Sequence, residues 1–338
     1  MAGVIFAKGT GVNDSIFGKS QEPIKAIINQ QKELFEQKSM ISKIFYMDKS
    51  TNFAEKYTSE TSLGNFEDVG ENGSYPETEM REGFSKVIES RTWKNQFAVT
   101  QEMIEDAKIG KIKQKSNAFV TSFGRTRENF AASLLAGGVN KTVTIGGKVY
   151  DATGADKVAL FSEVHPSITK KGGYQSNKFK AAFDQYVMDK MQEKMQDFKD
   201  EDGNLLSVMP DTIIIPNDAA MTRAVLAAIG SDLDPESNKN AINFQCGLWN
   251  VIKWGYLPKT IDGKPYFMMA DSEYLQNYMC LPFIDRIPLS VRSVIDEGTD
   301  ANVMKGRARF GAGFNDWRGI AICGEGLTGG TDISKPVV

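Results

Sequence analysis

The feature that most limits how this chain can fold is an acidic, glycine-rich stretch at residues 58–92. Its eight acidic residues face only three basic ones, and glycines and a proline at positions 64, 70, 73, 76 and 83 interrupt any helix. The stretch has too few large apolar side chains to build a core of its own. We therefore predict an extended, hairpin-like acidic arm, in which residues 84–93 alternate enough to form a strand.

The rest of the chain has the composition of a globular protein. Hydrophobic residues make up 41% of the 338 residues and charged residues 25%, which excludes wholesale disorder. The length suggests two domains, or one core with large excursions. The formal charge of −3 argues against a nucleic-acid coat held by bulk electrostatics. No apolar run is long enough for a membrane helix, and the three dispersed cysteines, Cys246, Cys280 and Cys323, are expected to be free thiols in a reducing cytoplasm.

A long helix is predicted over residues 100–136. Thr100 can cap its start, and Gly137 and Gly138 mark its end. Gly110 and Gly124 lie inside it, and each weakens the helix by up to about 1 kcal/mol relative to alanine. No acidic residue occurs from position 108 to position 127, where six residues are basic: Lys108, Lys111, Lys113, Lys115, Arg125 and Arg127. This basic flank is either a solvated face or a surface that meets a polyanion, and the pattern leaves the two interpretations equally open.

Shorter patterns in the rest of the chain predict an α+β protein with mixed sheets rather than a regular βαβ alternation. Residues 24–35 and 178–199 are amphipathic helices, and the methionines at 188, 191 and 195 are expected to pack in the core. Residues 211–215 form a buried strand, and further strands are expected at 249–256 and 266–270. Residues 302–314 alternate, with Lys305, Arg307 and Arg309 on one face and Met304, Ala308 and Phe310 on the other.

Three segments resemble chemical motifs and fail on specific positions. Residues 11–20 end like a phosphate-binding loop, but Asn13 stands where that loop needs glycine. Residues 198–209 overlap a calcium-loop frame, but Phe198 and Met209 cannot ligate calcium. His165, the only histidine, has no nucleophile motif beside it, so a structural role is favoured. We expect no catalytic residue, no cofactor and no metal site.

Six segments, taken in order, resemble a known family. They are WKNQFAVT (93–100), QEMIED (101–106), LFSEVHP (160–166), PDTIIIP (210–216), YFMMADS (266–272) and KGRARFGAGFNDWRG (305–319). This order resembles the tailed-bacteriophage major capsid proteins with the HK97-type fold, close in style to the Mu-like major head subunits. The resemblance extends from about residue 53 to about residue 324.

The resemblance implies a division of the chain into five parts. These are an N-terminal arm (1–57), an extended loop or E-loop (58–99), a peripheral domain (100–175) with a spine helix at 100–136, an axial domain (176–298), and a C-terminal return to the peripheral domain (299–338). Too few residues precede the loop to form the scaffolding segment of some members, so a separate scaffold is implied.

The implied function is structural. A major capsid protein assembles in the host cytoplasm, as hexamers and pentamers, into the icosahedral shell of a virion that encloses double-stranded DNA. A portal is implied as a further partner, a decoration protein as an optional one, and no membrane. The alternative within the same fold is an encapsulin-like compartment, which would need an apolar groove for a cargo peptide. A cytoplasmic enzyme with an unrecognised site is a third, weaker alternative.

The residues also indicate where such a protein would touch its partners. An arm that cannot bury itself must be ordered by a neighbouring copy, as in head-to-tail contacts that close into rings. Trp93 and Phe97, at the foot of the arm, are large apolar anchors of the kind that dominate interfaces. The interface candidates are Phe66, Tyr75, Arg81, Phe84, Trp93 and Phe97. The basic flank would face packaged DNA and neutralise its phosphates, and the acidic arm would lie toward the outside.

Overall fold

One long helix and two β-sheets organise the protein. The computed structural model describes residues 21–60, 68–69, 74–75, 82–106, 108–169, 173–230 and 242–336. In this part of the chain the helices are α1 (Gln21–Lys38), α2 (Ile41–Ile44), α3 (Gln101–Glu105), α4 (Ile109–Ala136), α5 (Gln185–Gln196), α6 (Ala219–Ile229) and α7 (Ser272–Asn277). The mixed sheets and separate helices confirm the predicted α+β class.

The strands fall into two larger sheets and three two-stranded ones within the described residues. The first sheet contains β1 (Tyr46–Lys49), β4 (Arg91–Val99), β13 (Pro282–Asp296) and β14 (Ala301–Ala312), in the order β1-β13-β14-β4. The second contains β9 (Lys178–Lys180), β10 (Thr212–Pro216), β11 (Asn250–Trp254), β12 (Tyr266–Ala270), β15 (Ile320–Gly324) and β16 (Thr331–Asp332), in the order β11-β10-β12-β15-β9-β16. The pairs are β2 (Ala54–Glu60) with β3 (Glu82–Glu89), β5 (Thr142–Ile145) with β6 (Lys148–Asp151), and β7 (His165–Pro166) with β8 (Tyr174–Gln175).

The helix predicted over 100–136 is present but consists of two pieces. Thr100 caps the first piece, because its side chain accepts a hydrogen bond from the backbone of Met103 at 3.4 Å. The chain leaves helical geometry at Lys108, whose ψ is 52°, and α4 then begins at Ile109. Gly110, one residue further, is the weak helix former in this region. The predicted end is confirmed, since α4 stops at Ala136, directly before Gly137.

Helix α1 packs along α4, where Ile28 clusters with Ile112 and Val120, and Ile27 and Ile28 are both buried as the amphipathic pattern predicts. The two helices approach closely at Gly124. A Cβ atom added there would lie 2.4 Å from the ring of Phe35, so only glycine leaves room for this aromatic side chain. The glycine that weakens α4 therefore serves the contact between the helices.

The alternation predicted for the C-terminal strand is confirmed. Met304, Ala308 and Phe310 of β14 are buried, and a Cβ atom on Gly306 would meet the ring of Phe119 on α4. Helix α4 thus covers this face of the four-stranded sheet, and Lys305, Arg307 and Arg309 lie on the opposite face.

The E-loop implied for residues 58–99 was expected to be ordered by a neighbouring copy, but residues 91–99 lie in a sheet of their own chain. Strand β4 pairs antiparallel with β14, from Arg91 opposite Phe310 to Val99 opposite Asn302. This pairing joins positions about two hundred residues apart in sequence, so no local sequence pattern predicts it. Residues 91–99 therefore belong to the four-stranded sheet of the protomer.

The second sheet forms the other part of the core. Every residue of β10, β12 and β15 is buried, and Met188, Met191 and Met195 of α5 pack into the same core, as predicted. Sheet membership does not follow the boundary predicted at 298/299. Strand β13 pairs with β14 in the first sheet, whereas β15 and β16 join the second.

Candidate assembly surfaces

The β2–β3 hairpin is the part of the predicted acidic arm that the structure describes most fully. At its base Tyr57 and Ile88 pack with Ile284 of β13. The Tyr57 hydroxyl donates a hydrogen bond to Oδ2 of Asp48 at 2.5 Å. Burial, and after it the Asp48 carboxylate, raises the pKa of Tyr57, so the phenol keeps its proton and remains the donor. The hairpin is therefore fixed to β1 and β13 at its base.

A buried lysine holds the hairpin from the other side. Nζ of Lys86 lies 2.5 Å from Oδ2 of Asp151, the last residue of β6, and 2.8 Å from the hydroxyl of Thr153, two residues further on. Lys86 is 9% exposed, which is unusual for a lysine without such partners. Burial raises the pKa of Asp151, but the hydrogen bonds from Lys86 and Thr153 outweigh it and leave this pKa below the ordinary value. The sequence carries no local signal for this contact, which joins residues 65 positions apart.

The predicted interface residues differ in where they lie. Phe66 and Arg81 lie outside the described residues. Tyr75 is 95% exposed. Phe84 is half-buried beside Ser59, at a small cavity lined also by Trp317 and Arg318. Of the four described candidates, Tyr75 alone presents a large side chain almost entirely to solvent.

Trp93 and Phe97 do not stand free at the foot of the arm, which corrects their prediction as interface anchors. The Trp93 ring stacks on Phe310 with ring centres 4.9 Å apart, and Phe97 packs on Phe119 at 5.1 Å. Both side chains point from β4 toward α4 and are half-buried there. Because β4 is a strand of the protomer's own sheet, its large apolar residues are used in the protomer's own core.

The six cations predicted to face DNA differ in their solvent exposure. Lys108, Lys111, Lys115 and Arg125 are exposed, and Lys113 is half-buried. Nζ of Lys115 donates to the carbonyl of Ala98 at 2.9 Å, and Nζ of Lys108 pairs with Asp106 at 2.6 Å. The basic flank of α4 is thus largely accessible.

Arg127 is the exception and must be removed from that flank. Its Nη2 atom lies 2.7 Å from Oδ2 of Asp285, and its guanidinium sits 5.0 Å from the centre of the Phe283 ring. The side chain is 12% exposed, so Arg127 ties α4 to β13 instead of presenting a charge to solvent.

His165 lies inside the protomer, as its structural interpretation predicts. Its Nδ1 atom is 2.6 Å from Oδ2 of Asp156 and its Nε2 atom 3.0 Å from Oδ1 of Asn177. The ring stacks on Trp317 at 4.2 Å and is 1% exposed. Among the described residues no cluster of three metal-ligating side chains occurs, and no helix is both long and apolar enough to cross a membrane.

Comparison with known proteins decides the family. The phage capsid protein family matches residues 83–323, which is most of the chain. The chain belongs to the phage capsid protein family. No curated protein matches the sequence significantly.

Solved structures agree with this family at the level of fold. A chain of Microbacterium phage Oxtober96 has 12% identity and a TM-score of 0.51, with 87% of this chain and 91% of that chain covered. Mycobacterium phage Adephagia gives 13% identity and a TM-score of 0.51, covering 88% and 91%. The capsid of a native GTA particle gives 11% identity and a TM-score of 0.50, covering 84% and 89%. The protein thus has the HK97-type capsid fold, as the sequence resemblance predicted.

As a phage capsid protein, the chain is a structural major capsid protein that self-associates into capsid shells. Its place is the capsid of the virion. Family membership favours the phage capsid over the encapsulin-like alternative and over an enzyme.

The structure extends the basic face predicted for β14 to the two neighbouring strands. Lys94 of β4 and Arg292 of β13 join Lys305 and Arg307 of β14 around one groove. The alternation in β14 was readable from sequence, but the two neighbouring strands could not be matched to it without their register.

Proposed function

We propose that this capsid protein is the main subunit of an icosahedral tailed-phage head, in which copies assemble as hexamers and pentamers around double-stranded DNA. The proposal rests on the contrast between the base of the arm, which is fixed in its own protomer, and Tyr75, which is exposed. Tyr57 and Lys86 fix the hairpin base inside the protomer, whereas Tyr75, between the two strands in sequence, is 95% exposed. Tyrosine is among the residues enriched at the centres of protein interfaces, so an exposed one on this segment offers an anchor to a neighbouring copy.

The division into capsid domains belongs to the same proposal. The extended loop corresponds to residues 60–82 between β2 and β3, while β4 joins α4, β13 and β14 in the peripheral domain. The second sheet with α5 and α6 would form the axial domain. A separate scaffold, a portal and an optional decoration protein complete the set of partners, and assembly would take place in the host cytoplasm.

DNA would contact the exposed flank of α4. Lys111 and Arg125 support this proposal because both are exposed and lie on a helix with no acidic residue from 109 to 127. Lysine and arginine contacts of this kind neutralise phosphates without reading bases.

Shortening the loop tests the proposed function. Replacing residues 61–81 by Asn-Gly joins Glu60 to Glu82, which are already paired across the hairpin. We expect a soluble protomer with an unchanged thermal midpoint that forms no closed shells in electron micrographs, because the contact with the neighbour is gone. A control with a Gly/Ser linker of equal length should fail in the same way, since it keeps the reach but not the side chains. Closed particles of normal size from either variant would contradict the proposal.

A further inference from the structure

The single histidine of the chain is buried between groups that fix where its ring hydrogens can lie. The side chain of His165 is 0% exposed and that of Asp156 4% exposed, so both lie away from bulk water. Nδ1 faces Oδ2 of Asp156 at 2.6 Å, and Nε2 faces Oδ1 of Asn177 at 3.0 Å. A neutral imidazole carries one ring hydrogen on nitrogen, which can serve one of these two oxygens, whereas an imidazolium carries two.

The amide of Asn177 requires a hydrogen on Nε2. Its Nδ2 atom donates to the carbonyl oxygens of Leu160 at 2.8 Å, Ile320 at 3.0 Å and Trp317 at 3.3 Å. Its Oδ1 atom accepts a hydrogen bond from the backbone of Ser162 at 3.0 Å. The opposite orientation of the amide would set its oxygen against three carbonyl oxygens, so Oδ1 must be the atom that faces the ring. Nε2 is therefore a donor.

The carboxylate of Asp156 requires a hydrogen on Nδ1 as well. An ionised carboxylate only accepts hydrogen bonds, and Oδ1 of Asp156 already accepts one from the backbone of Val158 at 3.1 Å. Each neutral tautomer of the ring would direct one nitrogen lone pair at an oxygen lone pair, in a place that bulk water does not reach. A buried contact of this kind loses its hydrogen bond and adds repulsion. The pair therefore needs one proton more than a neutral histidine and an ionised aspartate provide.

The charged groups packed around the ring also favour a cation. Nη2 of Arg318 lies 2.7 Å from Oε1 of Glu201, and Nη1 lies 3.2 Å from Oδ1 of Asp316. All three of these side chains are buried. With Asp156 the cluster holds three carboxylates and one guanidinium. Because buried charges are stable only when they are paired, a protonated His165 supplies a second positive charge that the cluster needs.

The other ionisable groups near the cluster do not supply that charge. The hydroxyl of Tyr274 donates to Oδ2 of Asp316 at 3.2 Å. Burial, and after it the Asp316 carboxylate, raises the pKa of Tyr274, so this phenol stays neutral. Lys178, which follows Asn177, donates to the carbonyl of Thr328 at 2.7 Å. The remaining groups on the neighbouring segments are exposed: Lys157, Glu163, Tyr174 and Lys199.

The face of the ring gives a further indication. The imidazole stacks on the indole of Trp317 with ring centres 4.2 Å apart and an angle of 11° between the planes. The face of an indole attracts cations, and the guanidinium of Arg318 lies 5.0 Å from the centre of this same indole. An imidazolium thus gains from this stacking in addition to its two hydrogen bonds.

The cluster lies where the β2–β3 hairpin meets the rest of the protomer. Ser59 of β2 and Phe84 of β3 line one small cavity together with residues of the cluster, namely Asp156, Glu201, Asp316 and Arg318. Asn177 directly precedes β9, and Trp317 lies three residues before β15, so the ring also contacts the segments that lead into the second sheet. A change of charge at His165 would therefore act on a junction between the hairpin and both of these strands.

We propose that His165 is an imidazolium in the folded protein and that its second proton stabilises this junction until alkaline pH removes it. The proton satisfies two buried acceptors and offsets the surplus of carboxylates. Once the proton leaves, one of the two contacts becomes repulsive, and the segments that carry Asp156, Asn177 and Trp317 lose part of what holds them together. The inference concerns the single protomer and goes beyond the proposed function, on which it does not depend.

Nuclear magnetic resonance of the full-length protein, labelled with ¹⁵N in histidine, tests the charge, because the chain has one histidine. At about pH 8 a histidine in an unfolded chain is neutral. We expect both ring nitrogens of His165 to carry hydrogen at this pH. In Asp156→Asn the new amide can donate to Nδ1, so the ring should become neutral with hydrogen on Nε2 alone. Asp300→Asn, at an exposed turn, is the control and should leave the spectrum unchanged. One bare ring nitrogen in the natural protein at pH 8 overturns the proposal.

Denaturant unfolding at several pH values tests whether the proton stabilises the junction. Above about pH 7 the folded state would bind one proton more than the unfolded chain, so a rising pH favours unfolding. We expect the unfolding equilibrium constant of the natural protein, relative to that of Asp156→Asn, to increase by up to about tenfold per pH unit from pH 7 until the resonance shows that the proton has left. The ratio for Asp300→Asn should stay constant. The same pH dependence in the natural protein and in Asp156→Asn would overturn the stabilising role of the proton.

Discussion

Glu128 is a buried carboxylate that joins three parts of the chain. Its Oε1 atom accepts hydrogen bonds from the Ser39 hydroxyl at 2.6 Å and from the backbone of Met40 at 3.1 Å. Its Oε2 atom accepts from the indole of Trp254 at 2.7 Å. Since Glu128 lies on α4, Ser39 directly after α1 and Trp254 in the second sheet, this side chain connects the end of α1 and the second sheet to the long helix.

Glu128→Gln should destabilise the protein although the two side chains have nearly the same shape. One amide end of glutamine is a donor, so it would face either the Trp254 indole or the Ser39 and Met40 donors. We expect a loss of about 1–3 kcal/mol in the free energy of unfolding, measured with denaturant. Glu297→Gln, at an exposed turn position, is the matched control and should change stability by less than about 0.5 kcal/mol. An equal change in the free energy of unfolding for both variants would show that the three donors do not depend on the carboxylate.

Lys86 and Asp151 make the hairpin base sensitive to acid. The pKa of Asp151 in the folded protein is below the ordinary 3.8, so its stabilising contribution is present above that value and is lost as the pH falls through the folded pKa. Because the Asp151 side chain is 60% exposed, solvent screens the pair. We expect Lys86→Met to cost about 1 kcal/mol at pH 7.

Thermal unfolding at several pH values measures this effect. The difference between the natural protein and Lys86→Met should be constant from pH 7 to pH 5 and should shrink below about pH 4, where Asp151 is protonated in the unfolded chain. Lys148→Met, at an exposed lysine of β6, should show no such difference. A gap that stays constant down to pH 2.5 would mean that packing of the alkyl chain, and not the ion pair, provides the stabilisation.

At the scale of elements, the junction between β3 and β14 depends on a glycine. A Cβ atom on Gly311 would lie 2.6 Å from the carbonyl oxygen of Glu89, a backbone atom that cannot rotate away. Gly311→Ala should therefore push the start of the hairpin off the sheet and cost about 1–3 kcal/mol. Amide hydrogen exchange in β3 should rise with it. Gly298→Ala, where nothing lies within 4 Å of the added atom, is the control and should leave both measurements unchanged.

Elements whose own residues carry a period could be predicted from the sequence. The alternation of β14, the methionine stripe of α5, the apolar run of β10 and the end of α4 before Gly137 all depend on neighbours within a few residues. The family resemblance also rested on the order of such segments, and it was confirmed. These features could be read because their physical cause is local.

The errors concern contacts between distant segments. Trp93 looks like an interface anchor until β14 supplies Phe310, 217 positions later, as the surface on which it stacks. Arg127 looks like another cation of a basic flank until Asp285 is placed 2.7 Å away. Charge and size predict that a residue needs a partner, but only the pairing of strands tells whether the partner lies in the same chain.

For the whole molecule, the two basic surfaces lie on opposite sides of one sheet. Helix α4 covers the face formed by Met304, Gly306 and Ala308, and the basic residues Lys94, Arg292, Lys305 and Arg307 lie on the other side. A shell wall has one side toward its contents and one toward its neighbours and surroundings. If the α4 flank faces DNA, the basic face on the other side of the sheet is directed away from DNA.

Lys111→Glu with Arg125→Glu tests the DNA-facing side. Both residues are exposed on α4, and each contributes a phosphate contact in the proposed head. Reversing both charges should therefore weaken DNA retention several-fold. The loss should be larger at low salt concentration, because the repulsion between the new glutamates and the phosphates is then least screened. The number of particles should stay the same, because the hairpin is untouched. The ratio of nucleic acid to protein in purified particles, from ultraviolet absorbance, measures the effect, with Lys148→Glu and Lys259→Glu as the control of equal net charge. Full DNA content in the α4 variant would place DNA elsewhere and would reverse the assignment of inside and outside, since the sheet face with Lys305 and Arg307 would then be the remaining basic surface.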